Sequence, residues 1–356
     1  MGLLLVTIAI LVASSQLNII TGEPQVPCFF IFGDSLSDSG NNNNLVTLAN
    51  ANFLPYGIDF PDGPTGRFTN GRTTVDIIGD HLGLNGYIKA FPIVKEEEIV
   101  GGVNYASGSA GIRAETGFQV GDRISMDEQM NNHKEIVSRI STSLGQNKSA
   151  AHLNKCLYSV NVGSNDWMFN YFLKAPQMSN PQAYANTLIT QLSNQLSSLY
   201  DLGARKVILF GLGPLGCLPL TNIQGICSSV VNDIMDMYNT KLKLLADTFN
   251  TNHSDAKFIW INTLDIVSPN NLQGLGLKIT NVPCCGIFQN MMCDPLSIPC
   301  IDRGDYAYWD QAHPTEAANR VLAGRAYKAQ NSTDAHPMDI SSLAQLDLNS
   351  STPPPL

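Results

Sequence analysis

The sequence predicts an α/β fold in which one open, mostly parallel β-sheet is covered by helices on both faces. Five short apolar runs rich in β-forming residues predict buried strands: CFFIF from residue 28, GVNYA from 102, CLYSVNV from 156, KVILF from 206 and KFIWI from 257. Helical stretches lie between these runs, and strand alternating with helix is typical of such sheets. No repeat or long linker interrupts the pattern, so we expect a single domain over residues 24–343.

The predicted helices carry recognisable start and stop residues. The clearest covers residues 179–203, where Ser179 or Asn180 can cap the first turn, Pro181 suits the first helical position and Gly203 supplies a left-handed stop. Further helices are predicted over residues 73–83, 228–250 and 313–329, and we expect the last to begin at Pro314.

The two ends of the chain differ from the predicted domain. An apolar run over residues 3–12, followed by small and polar residues, predicts a signal peptide over about residues 1–22; a buried first strand is the alternative. The run is too short to span a bilayer. The polar, proline-rich segment over residues 344–356 predicts a disordered tail.

The cysteines and the glycosylation motifs both predict an extracellular protein. The chain has eight cysteines, an even number, and an oxidising compartment favours four disulfides over a zinc cluster in the segment from residue 284 to 300. Acceptor motifs for N-glycosylation occur at Asn147, Asn252, Asn331 and Asn349. We therefore expect secretion to the apoplast or cell wall.

The charge excludes one large class of partners. The formal net charge is -9, and the 21 lysines and arginines are scattered along the chain. Nucleic-acid binding needs clustered basic residues, so we expect no nucleic-acid partner.

Reactive residues follow the predicted strands directly. Ser35 follows the first strand, Gly108 the second and Asn165 the third, and ligands in such sheets bind at the carboxyl ends of strands. A serine needs a base to become nucleophilic, and His313 follows Asp310 by three residues, a spacing that lets a carboxylate orient the imidazole. With backbone and amide N–H groups for an oxyanion, this set predicts acyl transfer.

Each of these residues also has a plainer interpretation. Gly-Asp-Ser is a common turn, Gly108 can be a backbone kink, Asn165 can stabilise a turn, and Asp310 can cap a helix beside a surface histidine. Three other carboxylates compete with Asp310 for the place beside His313, namely those of Asp34, Asp38 and Asp166. Asp310 is favoured because it shares a local turn with His313, and Asp34 is expected to brace the serine loop.

Two other enzyme classes are disfavoured by their motifs. The segment from Gly211 to Gly216 matches the dinucleotide pattern G-x-G-x-x-G, but it contains Pro214, opens no predicted helix and does not follow the first strand. The chain contains no G-x-S-x-G elbow of the α/β-hydrolase type.

Six segments in order resemble the plant GDSL-type esterase/lipase family, a branch of the SGNH hydrolases: FIFGDSLSDSGNNN, TGRFTNGRTTVDII, GVNYASGSAGI, VNVGSNDW, GLGPLGCLP and YWDQAHPTEAANR. The resemblance implies a flavodoxin-like three-layer α/β/α fold with a five-stranded sheet. It implies Ser35 as nucleophile, Asp310 and His313 as its partners, and the N–H groups of Ser35 and Gly108 with the Asn165 amide as oxyanion hole. Ser109 stands where the family more often has glycine, and Gly111 is the alternative oxyanion glycine.

The predicted function is a secreted serine esterase that cleaves carboxylic esters through an acyl-enzyme. No metal or cofactor is expected, and the expected partner is a small-molecule, lipid or polysaccharide ester. An acyltransferase with the same catalytic residues and a non-catalytic lipid- or glycan-binding protein are the alternatives.

Overall fold

The computed structural model describes residues 23–173, 180–287 and 291–348. The predicted signal peptide over residues 1–22 lies outside the described residues, as does the acceptor Asn349 of the last glycosylation motif. Within the described part of the chain, no helix is both long enough and apolar enough to cross a membrane.

A five-stranded sheet forms the centre of the domain, in the order β1-β2-β3-β4-β7. Strands β1 (Phe29–Gly33), β2 (Leu157–Asn161), β3 (Lys206–Phe210) and β4 (Lys257–Ile261) are parallel, and the short β7 (Ala335–His336) is antiparallel to β4. Gly33 at the end of β1 pairs with Asn161 at the end of β2, so the loops that follow these strands leave the sheet side by side. The mostly parallel sheet is the predicted one.

The run predicted as a second strand, GVNYA from residue 102, is not a regular strand. Its backbone lies along the free edge of β1, where the Ile31 N–H donates to the Val103 carbonyl and the Tyr105 N–H donates to the Ile31 carbonyl. Gly102 has a φ of +117° and the Asn104 N–H donates away from the sheet to Lys89, so regular pairing does not develop. The fifth strand of the sheet is therefore β7, which the sequence did not indicate.

Helices cover both faces of the sheet, as predicted for a three-layer α/β/α fold. Alternate residues of each strand point to opposite faces, which gives two separate apolar clusters. One cluster contains residues of α2 (Met126–Leu144), α4 (Pro181–Asp201) and α5 (Ser229–Asn252), and the other contains residues of α1 (Thr74–His81), α8 (Glu316–Tyr327) and α9 (Ile340–Gln345).

Helix capping agrees with the sequence for α4 and differs for α8. The Asn180 side chain accepts a hydrogen bond from the Ala183 N–H at the start of α4, and Gly203 follows its end in a left-handed conformation. Helix α8 begins at Glu316 rather than at Pro314, because Thr315 is extended and its hydroxyl caps the helix. Pro314 instead lies in a bridge with Tyr308.

Several helices and strands were not predicted from the sequence. The sequence analysis did not predict α2, which opens with a capping box between Ser125 and Glu128, nor α3 (Gln146–Leu153). Two short helices, α6 (Thr263–Ile266) and α7 (Pro269–Gly274), precede a two-stranded parallel sheet of β5 (Ile279–Pro283) and β6 (Tyr306–Tyr308).

The domain extends past the boundary predicted at residue 343. Helix α9 continues to Gln345, and Ala344 is buried against the sheet, because the apolar face of this helix covers part of the second cluster. The predicted disordered tail is therefore wrong for residues 344 and 345, and residues 349–356 lie outside the described chain.

All eight cysteines form disulfides, as predicted. The pairs are Cys28–Cys156, Cys217–Cys227, Cys284–Cys300 and Cys285–Cys293. The acceptor residues Asn147, Asn252 and Asn331 are all exposed.

Candidate active site

Ser35 lies in the tight turn that follows β1. The Leu36 N–H donates to the Asp34 carboxylate at 3.0 Å, and the N–H groups of Ser37 and Asp38 donate to the Asp34 carbonyl. Gly33 is required before this turn, since its φ is +153° and a Cβ there would lie 2.3 Å from the Asn161 carbonyl oxygen. The turn directs Ser35 into a cavity that its side chain lines.

His313 connects Ser35 to Asp310. Its Nε2 lies 2.8 Å from the Ser35 Oγ, and its Nδ1 lies 2.7 Å from the Asp310 Oδ2 and 2.9 Å from the Oδ1. The backbone N–H groups of Ala312 and His313 also donate to the Asp310 Oδ1. The D-x-x-H segment is thus a closed turn that fixes the imidazole between a carboxylate and a hydroxyl.

Tyr56 is a further member of this hydrogen-bonded chain that the sequence analysis missed. Its hydroxyl donates to the Asp310 Oδ2 at 2.5 Å and accepts from the Cys293 N–H at 3.1 Å. Burial, together with the neighbouring Asp310 charge, raises the pKa of Tyr56 well above its ordinary value, so the phenol stays protonated and remains a donor.

The Asp310 carboxylate is fully buried and ionised. Burial by itself would raise its pKa, but the charge of His313 and the hydrogen bonds from His313, Tyr56 and Ala312 lower the pKa below its ordinary value. A buried carboxylate with these donors suits the task of orienting an imidazole and stabilising its cation.

The three other aspartates face different partners. Asp166 accepts from the Ile112 and Arg113 N–H groups and from the Thr116 hydroxyl, and Asp38 accepts from the Gly40 and Asn41 N–H groups. Asp34 braces the Ser35 turn as predicted from the sequence. Asp310 alone of the four is hydrogen-bonded to His313 among the described residues.

These three carboxylates carry unusual pKa values. Burial raises the pKa of Asp34 to about 7, against smaller opposing effects of the Leu36 N–H and the His313 charge. Burial likewise raises the pKa of Asp38 and of Asp166 to about 6. Of the three, only Asp34 lines the cavity beside Ser35.

The predicted oxyanion donors do not all face the cavity. Asn165 lines the cavity beside Ser35 and donates one amide N–H to the Ala110 carbonyl at 2.9 Å, which leaves the second amide hydrogen for a ligand. The Gly108 N–H instead donates to the Asp38 Oδ2 at 2.9 Å, because the buried carboxylate needs donors. Gly108 is therefore a link between the serine loop and the next loop in this structure.

Residues near Gly108 explain the glycine-rich sequence there. A Cβ on Gly108 would lie 2.6 Å from the Phe68 ring, and one on Gly111 would lie 2.6 Å from the Asp166 carboxylate, so both positions exclude a side chain. Ser109 lines the cavity with a φ of +65°, a conformation that favours glycine, and its buried hydroxyl has no hydrogen-bond partner among the described residues.

The cavity that begins at Ser35 has a volume of about 660 Å³. Most of its lining is apolar and comes from loops after the strands and from the helices α6, α7 and α8. Representative wall residues are Met168, Leu215, Val267, Leu272 and Leu322. A cavity of this size and character suits a hydrophobic group rather than a charged one.

The G-x-G-x-x-G segment forms part of this wall. Gly211 and Gly213 line the cavity, a single short turn over Leu215–Cys217 follows, and α5 begins only at Ser229. Because no helix opens at the glycines, the segment lacks the N-terminal dipole on which dinucleotide phosphates bind.

Among the described residues, one group brings three potential metal ligands close together, with their ligand atoms within 4.8 Å of one another: Cys28, His152 and Cys156. The two cysteines form a disulfide, which removes their thiolates. This group lies at the opposite end of β1 from Ser35.

The chain is similar to known proteins over most of its length. The family model described as GDSL-like lipase/acylhydrolase matches residues 29–326. The chain is 49% identical to the GDSL esterase/lipase At1g29670 of Arabidopsis thaliana over 339 residues, which cover 91% of this chain and 93% of that protein. It is 46% identical to the GDSL esterase/lipase At4g18970 of the same plant over 345 residues, covering 93% of this chain and 96% of the relative.

A solved structure also aligns with the chain. A variant of Axe2, an acetyl-xylooligosaccharide esterase of Geobacillus, covers 84% of this chain and 91% of its own, with 15% identity and a TM-score of 0.42.

Proposed function

This chain belongs to the GDSL-like lipase/acylhydrolase family and is a carboxylic ester hydrolase, and from that premise we propose that Ser35 cleaves the ester through an acyl-enzyme. The observation that carries the proposal is the unbroken chain of hydrogen bonds from the Ser35 hydroxyl through His313 to Asp310. These contacts are short, so the nucleophile and its base already lie within the distance of a proton transfer.

In the acylation step, His313 Nε2 takes the Ser35 proton while the Ser35 Oγ attacks the ester carbonyl carbon. The carbonyl double bond opens to an oxyanion, and Asp310 stabilises the imidazolium that forms. The intermediate collapses, the bond to the alcohol oxygen breaks, and His313 returns the proton to that oxygen as the alcohol leaves.

In the deacylation step, a water molecule replaces the alcohol. His313 takes a proton from the water, the hydroxide oxygen bonds to the acyl carbon, and the second intermediate releases the carboxylic acid. The proton returns to the Ser35 Oγ, so the enzyme ends in its starting state.

The oxyanion needs N–H donors directed at its position. We assign the Ser35 N–H and the free amide hydrogen of Asn165 to this role, since both residues line the cavity at the carboxyl ends of β1 and β2. Gly108, expected from the sequence as a third donor, instead donates its N–H to Asp38. We propose that Gly108, through its hydrogen bond to Asp38, holds the serine loop against the loop that carries Ser109.

The test uses a chromogenic acyl ester and a fluorophosphonate probe. Ser35→Ala should fold, fail to hydrolyse a p-nitrophenyl ester and resist labelling by the probe, whereas Ser39→Ala, another buried serine in the same loop, should retain both. Labelling of Ser35→Ala would contradict Ser35 as the nucleophile. Adding an alcohol acceptor to the wild-type assay distinguishes hydrolysis from acyl transfer.

Secretion is part of the same proposal. The apolar leader, four disulfides and three exposed glycosylation acceptors support an extracellular location. Protein collected from the medium of expressing plant cells should begin near residues 16–25 and carry no titratable thiol after denaturation. An intact Met1 or several free thiols would contradict this location.

A further inference from the structure

The mouth of the cavity is bordered by solvent-exposed apolar side chains. Leu48 and Leu220 each line the cavity and are nevertheless 59% and 38% exposed, which places them at its opening. They belong to different segments of the chain, and each has exposed apolar neighbours. We call the set the apolar rim, and its members are Val46, Leu48, Phe118, Leu220, Ile223 and Ile226.

Backbone contacts hold the rim in place on both sides. On one side, the Leu48 N–H donates to the Val120 carbonyl at 2.7 Å and the Asp122 N–H donates to Val46, so Phe118 and Val46 lie on joined segments. On the other side, Ile223 and Ile226 exchange backbone hydrogen bonds within the loop closed by the Cys217–Cys227 disulfide. The rim is thus a fixed feature of the fold.

The exposure of the rim is large. Val46, Phe118, Ile223 and Ile226 are between 65% and 83% exposed, although none of them lines the cavity. Isolated exposed apolar residues are common on proteins, whereas a group of them around one opening marks a binding surface.

The distribution of charge identifies the occupant. Residues 39–58 and 207–232, which carry most of the rim, contain no aspartate, glutamate, lysine, arginine or histidine, although 14% of the whole chain is charged. A protein partner would leave polar or charged residues bordering the contact. Charge does border Phe118, which lies between Glu115 and Asp122. An opening bordered mainly by uncharged residues matches an uncharged lipid surface, and the net charge of -9 disfavours an anionic one.

We propose that the apolar rim docks this enzyme on a neutral or zwitterionic lipid surface, from which an acyl chain enters the cavity past Leu48 and Leu220. Leu48 and Leu220 belong both to the rim and to the cavity wall, so an acyl chain can pass from the lipid into the protein without crossing water. The proposal rests on the proposed hydrolase function for the fate of that acyl chain, and the docking itself needs no catalysis.

Vesicle flotation with the full secreted chain tests the docking. The protein carries Ser35→Ala so that no lipid is consumed, and the probe is vesicles of phosphatidylcholine, with phosphatidylserine vesicles as the anionic comparison. The test variant adds Val46→Ser, Ile223→Ser and Ile226→Ser. The control variant adds Leu244→Ser, an equally exposed leucine on α5 that does not line the cavity.

The expected result is binding to phosphatidylcholine that the rim substitutions weaken by roughly 10-fold or more and that Leu244→Ser leaves unchanged, since each isoleucine loses apolar burial. Binding to phosphatidylserine should be weaker. Absence of vesicle binding, or equal binding by the rim and control variants, would overturn the proposal. A concentration-dependent dimer in sedimentation that the rim substitutions abolish would make the occupant a second copy and would also overturn it.

A second measurement separates docking from chemistry. With Ser35 intact, the rim variant should hydrolyse soluble p-nitrophenyl acetate at the wild-type rate, because the substituted residues lie outside the cavity wall. If Ser35→Ala itself still hydrolyses this ester, the proposed mechanism fails while the vesicle result stands.

Discussion

Replacing Tyr56 with phenylalanine should lower kcat about 10-fold while leaving KM nearly unchanged. The substitution keeps the buried ring and removes the hydroxyl that donates to the Asp310 Oδ2 at 2.5 Å. The Tyr56 ring packs between Phe53 and Phe68, so the phenylalanine ring has the same neighbours. The substitution also removes the acceptor of the Cys293 N–H, but of the two lost hydrogen bonds only the one to Asp310 reaches the carboxylate beside His313.

The magnitude follows from the remaining donors. A hydrogen bond to a charged group contributes roughly 1.5–3 kcal/mol. After the substitution, Asp310 would still accept from the Ala312 N–H, the His313 N–H and the His313 ring, so it stays ionised and the loss lies near the low end of that range. About 1.4 kcal/mol corresponds to a tenfold change in rate.

The assay compares steady-state hydrolysis, fluorophosphonate labelling and thermal unfolding. The matched control is Tyr158→Phe, which removes another fully buried hydroxyl, one that donates to the Leu153 carbonyl at 3.2 Å away from the cavity. Tyr158→Phe should be destabilised by about 1 kcal/mol and Tyr56→Phe by roughly 1.5–3 kcal/mol, but only Tyr56→Phe should slow hydrolysis and labelling.

The refuting outcome is specific. If Tyr56→Phe unfolds at a lower temperature but keeps kcat and the labelling rate within about twofold of wild type, as we expect for Tyr158→Phe, then the Tyr56 hydroxyl only stabilises the fold. The Asp310 turn would then orient His313 without help from the Tyr56 hydroxyl.

Asn165→Ala should lower kcat about 100-fold with little change in KM, because we assign its amide to the developing oxyanion; a change in KM alone would make Asn165 a substrate-binding residue. The free energy of unfolding, measured with denaturant, should fall as the pH rises from about 4 to about 7. Burial raises the pKa of Asp34 to about 7 and the pKa values of Asp38 and Asp166 to about 6, so over this range the folded state retains protons that the unfolded chain has released. Asp34→Asn should remove a part of this fall, on the order of a few kcal/mol, and a flat wild-type profile would contradict these pKa values. Ser109→Gly should raise the free energy of unfolding by up to about 1 kcal/mol, because the φ of +65° disfavours serine and its buried hydroxyl is unpartnered in the described structure; a less stable variant would show that Ser109 has an unseen partner.

The parts of the fold and of the candidate site that depend on interactions between residues near in sequence could be predicted from the sequence. Apolar runs of five to seven residues identified the four parallel strands of the five-stranded sheet, and the helix α4 starts and stops where Asn180 and Gly203 indicate. The Asp310–His313 turn was predictable because a spacing of three residues brings the two side chains together within one turn. The parallel sheet then implied that loops after neighbouring strands meet, which accounts for Ser35 beside Asn165.

The tertiary structure alone decided which groups complete these local pieces. The sequence separation between Tyr56 and Asp310 is 254 residues, and no periodicity or motif links them, because their contact depends on how the chain returns after the whole sheet has formed. The Gly108 N–H was expected in the cavity, but the buried Asp38 from a different loop takes it, since a desolvated carboxylate must find donors. Residue patterns report the conformational preferences of near neighbours, whereas the competition among distant groups for a limited number of hydrogen bonds is resolved only when they are packed together.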